Sequence, residues 1–218
     1  MAADVETELA GERVVLLAER ALYRPAAGTL LVADPHWGKA AAFRAAGLPV
    51  PGGTTTEGLE RLTRALERTG ARRLVILGDL FHARSGRSPQ TLAAAAAWRA
   101  RHPDLPVTLI RGNHDRHAGD PPPELAIEAC EPPCHDPPFL YTHHPAPLQA
   151  GYVLAGHVHP SVTLRGVGRQ RERLPCFHFG PRVGLLPAFG AFTGTADVAV
   201  TRADRVFVVA GERVIQVS

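Results

Sequence analysis

Five short strings in this chain place metal-binding or acid–base side chains directly after apolar runs. Asp34-Pro35-His36 follows residues 29–33, and Gly78-Asp79-Leu80-Phe81-His82 follows residues 74–77. Gly112-Asn113-His114-Asp115 follows residues 107–110. His143-His144-Pro145 follows residues 139–142, and Gly156-His157-Val158-His159 follows residues 152–155. In an extended backbone, residues two apart point to the same side. Asp34 and His36 are therefore expected to converge, as are His157 and His159. The Asn113 amide oxygen suits a hard or borderline cation. His114 can act as an acid or base near neutral pH, with Asp115 placed to orient it. Taken singly, each string is ordinary: an Asp-x-His turn, a carboxylate capping a helix, a structural histidine. Five successive strand ends with the same residue types form a set. Its donors are oxygen and nitrogen without thiolate, which suits Mn²⁺, Fe or Zn²⁺. No Ser or Cys nucleophile motif competes with it.

The apolar runs that carry these strings read as strands, with another at residues 14–18. Between the early ones lie helical stretches. Residues 56–69 put Leu59, Leu62 and Leu66 on one face, with Thr54, Thr55 or Thr56 as N-cap. Residues 89–101 form an Ala-rich helix capped by Ser88 with Pro89 in its first turn, and a short helix is expected from about Trp37. Alternating strands and helices indicate an α/β fold, in which ligands gather at the carboxyl ends of the strands. Residues 121–138 are proline-rich and read as irregular. Beyond Leu174 the chain is strand-like at 176–179, 182–186, 196–201 and 206–209, with Ala203-Asp204 expected to turn a hairpin between the last two. The whole is expected to be one domain, residues 1–218: two sheets packed face to face and flanked by helices.

The chain has 218 residues, 45% of them apolar, enough for a sizeable core. No run is long enough to span a bilayer. Asp4, Glu6 and Glu8 stand where a signal peptide would be basic. Three cysteines, an odd count, argue against a disulfide framework and for a reducing, cytoplasmic setting. Cys130 and Cys134 lie beside His135 without a fourth zinc ligand and, with Cys176, read as ordinary thiols. The net charge is +3, and Lys39 is the one lysine among the 24 Lys and Arg residues. That balance is compatible with a polyanionic substrate and does not require one.

The order D-x-H, G-D, G-N-H-D, H, G-H-x-H, from Asp34 to His159, resembles the calcineurin-like metallophosphoesterases. The resemblance implies a four-layer αββα sandwich and two metal ions. One would be held by Asp34, His36, Asp79 and His159, the other by Asp79, Asn113, His143 and His157, with Asp79 shared. His143 is preferred over His144 because it follows the strand directly. His114 resembles the histidine that contacts the phosphoryl group or protonates the leaving oxygen, beside Asp115. Such a cation pair would activate a bridging hydroxide for in-line attack. Gly78–His82, Thr142–Pro145 and especially residues 174–194 look like the ligase-associated DNA damage response endonucleases, the PdeM family. That likeness implies a Mn²⁺-supported DNA phosphodiesterase in bacterial DNA repair, working with a DNA ligase, a helicase and a nuclease. The alternative is a phosphatase or phosphodiesterase acting on nucleotides or other small phosphoesters.

Around the motifs, Arg84, Arg87, Arg111 and Arg116 are candidates for phosphate contacts. Phe192, in a Gly-flanked loop, is the candidate for stacking on a base, whereas Phe177 and Phe179 read as core. His82 is expected to support a metal ligand from behind.

Overall fold

A computed structural model describes residues 3–218. Strands β1 (Val5–Leu9), β2 (Glu12–Leu17), β3 (Ala21–Arg24) and β4 (Thr29–Val32) form an antiparallel meander. Strands β5 (Arg73–Ile76), β6 (Val107–Ile110) and β7 (Ile127–Cys130) extend it in parallel, giving seven strands in chain order. Four helices lie in the connections of this half: α1 (Lys39–Ala45), α2 (Thr54–Thr69), α3 (Pro89–Arg101) and α4 (Asn113–Ala118).

The second sheet has nine strands. They are β8 (Cys134–Asp136), β9 (Phe139–Tyr141), β10 (Tyr152–Ala155), β11 (Pro160–Arg165), β12 (Arg171–Phe179), β13 (Val183–Leu185), β14 (Ala196–Asp197), β15 (Arg205–Ala210) and β16 (Arg213–Gln216). Their order is β14-β11-β12-β13-β10-β9-β8, with β15 also on β12 and β16 on β15.

Strands β4 and β5 are buried on both faces, which is why they read as continuous apolar runs. Leu30, Val32, Leu74 and Ile76 meet Leu59, Leu62, Leu66 and Trp98 of α2 and α3. Leu31, Val75 and Leu77 meet Phe139, Tyr141, Phe177 and Phe207 of the second sheet. Full burial of each such side chain contributes about 1.5–3 kcal/mol. The α/β sandwich of two sheets is thus present, with the α-helices of the described residues all between 39 and 118. The outer face of the second sheet is covered instead by connecting segments carrying Leu148, Val158 and Val198. No helix among the described residues is long and apolar enough to cross a membrane.

Several local expectations are corrected. Helix α2 starts at Thr54 and its N-cap is Gly53, not a threonine. Thr55 instead accepts the Gly38 N–H at 3.0 Å, tying α2 to the start of α1. Residues 121–138 are not irregular throughout: β7 and β8 form the facing edges of the two sheets. The prolines at 121–123, 132–133 and 137–138 lie in the segments that flank these short strands, and they masked them. Cys130 and Cys134, at the ends of those edges, form a disulfide, while Cys176 is a buried free thiol. Ala203-Asp204 does not join a hairpin, because β14 pairs with β11 and the Asp197 carboxylate accepts bonds from Ser161, Thr163 and Arg173. The hairpin of that region is β15–β16, turned at Gly211.

Candidate metal centre

The carboxyl ends of β4, β5, β6, β9 and β10 face one another across the gap between the sheets, and the loops after them share one centre. Four overlapping groups of three side chains each hold their donor atoms within 4.8 Å of one another. They are Asp34, His36 and His159; Asp34, Asp79 and His143; His143, His144 and His157; and His36, His82 and His114. Asn113 joins them, with its Oδ1 3.0 Å from His143 Nε2. The structure therefore brings together Asp34, His36, Asp79, Asn113, His143, His157 and His159.

Convergence does not arise from strand alternation. Asp34, His36, Asp79, His157 and His159 have φ between 46° and 69°. This left-handed conformation is uncommon for residues with a Cβ and costs about 1–3 kcal/mol at each position. The segments are turns held by flanking backbone bonds. His36 N–H donates to the Asp79 carbonyl at 3.0 Å, Gly190 N–H to the Asp34 carbonyl at 3.1 Å, and Phe189 N–H to the Ala33 carbonyl at 2.7 Å. Two glycines make the approach possible. A Cβ on Gly78 would lie 2.1 Å from His143 Nδ1, and one on Gly112 would lie 2.3 Å from Asp79 Oδ1.

Two of the rings are aimed by a bond on the far side. His143 Nδ1 meets the Leu77 carbonyl at 3.0 Å, leaving Nε2 toward Asn113, Asp79 and His157. His159 Nδ1 meets the Gly194 carbonyl at 2.9 Å, leaving Nε2 toward Asp34 and His36. A ring whose Nδ1–H donates to a carbonyl presents a lone pair at Nε2, as a metal ligand requires. The carboxylates are steadied from behind: Asp34 Oδ2 accepts the His157 N–H and Asp79 Oδ1 the His114 N–H, both at 2.9 Å. His144 is exposed, with its ring centroid 4.1 Å from that of His157.

These residues fit divalent cations. Asp34 and Asp79 are 0% and 2% exposed, and among the described residues no Lys or Arg side chain pairs with either. Asp34 Oδ1 and His36 Nδ1 are buried without a hydrogen-bond partner. Buried carboxylates with an unsatisfied oxygen call for a counter-charge, and an ion is the usual one. Burial holds the His36 imidazole down at about 2, so it stands neutral. Burial would raise the Asp79 carboxyl, but His143, the His114 N–H and His36 together hold it at about 2.

His114 and Asp115 part company. Asp115 does not orient His114. Its buried carboxylate accepts the N–H groups of Gly112, Asp79 and Leu80 at 2.7–2.9 Å, tying the β5 loop to the β6 loop. It positions ligands and touches no reacting atom. His114 is aimed by His82, whose carbonyl meets its Nδ1 at 2.5 Å and whose ring stacks on it at 4.9 Å. Its Nε2, on a half-buried ring, is 3.9 Å from Asp79 Oδ2.

Farther out, Arg111 is paired with Asp120 and Glu131, and Arg116 with Glu131. Arg84 is exposed, while Arg87 donates to the Ala118 carbonyl at 2.9 Å. Phe192, 38% exposed, meets Phe43 edge-on, and Phe43 in turn meets His82, both at 5.7 Å. Lys39 Nζ lies 5.8 Å from the Phe43 ring. Lys39 and Phe43 escaped the sequence reading. Their signal was the lone lysine and an aromatic four residues on, just past the Asp34 motif.

The geometry meets its counterpart among known proteins. Residues 29–145 match the family model described as calcineurin-like phosphoesterase. No curated protein matches the chain. Among solved structures, the Pseudomonas putida nuclease MPE is 45% identical over 98% of this chain and 100% of that one, with a TM-score of 0.88. Yfce, a phosphoesterase from E. coli, is 15% identical over 84% of this chain and 87% of its own, at a TM-score of 0.40 too low to bear on the argument. With more than half its length in the family match and a cation-binding centre at the sheet ends, the chain belongs to the calcineurin-like phosphoesterase family and is a metal-dependent phosphoesterase.

Proposed function

We propose that this phosphoesterase is a nuclease that hydrolyses phosphodiesters of a DNA strand with two Mn²⁺ ions, in the setting of DNA repair. The observation that carries the reading is its likeness to the Pseudomonas putida nuclease MPE along the whole of both chains. The donor chemistry agrees: carboxylate, amide and imidazole without thiolate suit Mn²⁺, with Fe and Zn²⁺ as the other choices. Asp34, His36, Asp79 and His159 would hold one cation, and Asp79, Asn113, His143 and His157 the other. When bound, the pair supplies Lewis acidity toward a phosphoryl oxygen and toward water.

The chain's own residues do the rest. The buried carboxylates of Asp34 and Asp79 and the carbonyl-anchored rings of His143 and His159 are in place before substrate arrives, so little reorganisation is needed there. His114, fixed through Nδ1 on the His82 carbonyl, presents Nε2 at the edge of the centre. Protonated there, it would donate to the departing alkoxide oxygen. Asp115 keeps the Asp79 and Asn113 loops in register. Phe192, backed by Phe43 and Lys39, would receive a base flanking the scissile phosphate. Arg84 remains available for a phosphate, whereas Arg111 and Arg116 would first have to leave Glu131. A DNA ligase, a helicase and a second nuclease are the partners such a role would call for, in the cytoplasm.

The test is cleavage of supercoiled plasmid and a labelled single strand with Mn²⁺ or with EDTA, beside His114→Ala. Metal-dependent strand cleavage, reduced about 10²–10⁴-fold in the variant, is the expected result. Intact DNA alongside hydrolysis of a small diester or nucleotide would move the substrate to the small phosphoesters.

A further inference from the structure

Strand β11 leaves the metal centre directly, since its first residue, Pro160, follows His159. It pairs with β12 out to Arg165 opposite Arg171. The connection 166–170 is closed by the Gly166 N–H donating to the Gln170 carbonyl at 3.0 Å, and Val167 near its tip is 92% exposed. At roughly 3.3 Å per residue, the six residues of β11 carry this tip about 20 Å from Pro160.

Arg165, Arg169 and Arg171 stand at the far end of the ribbon, all exposed. Among the described residues none of the three has a carboxylate partner, in contrast to Arg173, which pairs with Asp197 at 2.8 Å. The fold gains nothing from them. Like charges directly opposite each other on a ladder weaken it, and Arg165 faces Arg171. Arg169 has φ of 70°, a conformation that glycine or asparagine adopts at lower cost. Three unpaired guanidinium groups on an extended ribbon rooted at a phosphoester-cleaving centre match a strand of repeating phosphates.

We propose that the β11–β12 ribbon is an arm for the phosphodiester backbone of a nucleic-acid strand. Arg165, Arg169 and Arg171 would hold phosphates well away from the one being cleaved. This rests on the nuclease reading and adds to it where the strand runs. Contacts to phosphate give affinity and register without sequence preference.

The experiment is fluorescence anisotropy of a labelled single strand of roughly 30 nucleotides with the full chain. No metal is added, so that the strand stays intact, and the salt concentration is varied. Three backbone contacts predict that R165Q/R169Q/R171Q lowers the slope of log affinity against log salt by about 2. R165K/R169K/R171K, which keeps the charge, retains the wild-type slope. Equal slopes in wild type and the Gln variant overturn the arm, as would an arm built for an acidic protein. Loss of slope in the Lys variant as large as in the Gln variant also overturns it. Cleavage of the strand by wild type with Mn²⁺ in either case leaves the nuclease reading standing. If wild type neither binds nor cleaves the strand, both fall.

Discussion

Arg24, the last residue of β3 and paired with the start of β4, and Asp34, just past the other end of β4, are both buried between the sheets, at 2% and 0% exposure. Around Arg24 the charges are satisfied from within the chain. Its Nε and Nη2 donate to the Glu12 carboxylate at 2.7 and 2.8 Å, and its Nη1 to the Tyr141 hydroxyl at 2.5 Å. Asp136 closes the cluster, 3.1 Å from Nη1, and also accepts from Tyr141. Burial would lower the Arg24 guanidinium, but Glu12, Tyr141 and Asp136 outweigh it and hold it above its ordinary value. Around Asp34 the acids meet imidazoles and an amide, one carboxylate oxygen has no partner, and backbone strain accumulates in five residues. A buried cluster that brings its own cation is a fastener. One that is complete only with cations from solution is a site, and its strain is carried by the surrounding fold.

The largest effect expected from breaking this contrast is at Asp79. Asp79→Asn keeps an acceptor for the His114 N–H but removes the shared charge. Hydrolysis at saturating substrate should fall about 10³-fold or more, with the melting temperature of the metal-free protein little changed. Calorimetry beside steady-state kinetics checks both. Arg24→Met should do the reverse. It strands Glu12, while Asp136 keeps Arg73 at 2.8 Å, and costs about 3 kcal/mol of stability by denaturant unfolding, while activity per folded molecule is retained. A large activity loss in Arg24→Met at full folding would erase the distinction.

Asp115→Asn lies between these. One backbone N–H would face the amide's own donors, costing about 1–3 kcal/mol and about 10–100-fold in metal affinity. Metal-binding isotherms and thermal melts on the same variant read both. The smallest effect is at Cys176, outside both clusters. Burial pushes its thiol up to about 12. The thiolate population in the folded protein therefore rises only as pH approaches that value. A thiol reagent at pH 8 should modify Cys176 only in denaturant, and rapid labelling of the folded, oxidised protein would contradict its placement.

Much of the centre was legible because each donor follows a strand buried on both faces, and such strands announce themselves as apolar runs. The means of convergence was not. Asp34 with His36 has the spacing of strand alternation, but a turn held by bonds from Gly190 to Asp34 and from His36 to Asp79 brings the two together, while His157 and His159, equally spaced, go to different donor groups. Those partners lie far apart in sequence. Asp115 was legible as a polar residue in the right loop, but not in its task, because its three partners are backbone N–H groups and leave no trace in residue type. The edge strands β7 and β8 were hidden because they are only four and three residues long and flanked by prolines. The Arg24 cluster joins residues 12, 24, 136 and 141, a pairing no local pattern announces.

The most direct test of the central claim is the number of Mn²⁺ ions bound per chain after equilibrium dialysis, measured with hydrolysis of a small phosphodiester on the same samples. The account predicts two ions in wild type, at most one in Asp79→Asn, and activity that disappears with the second ion. Full hydrolysis by the chelated protein, or unchanged metal content in Asp79→Asn, would contradict it.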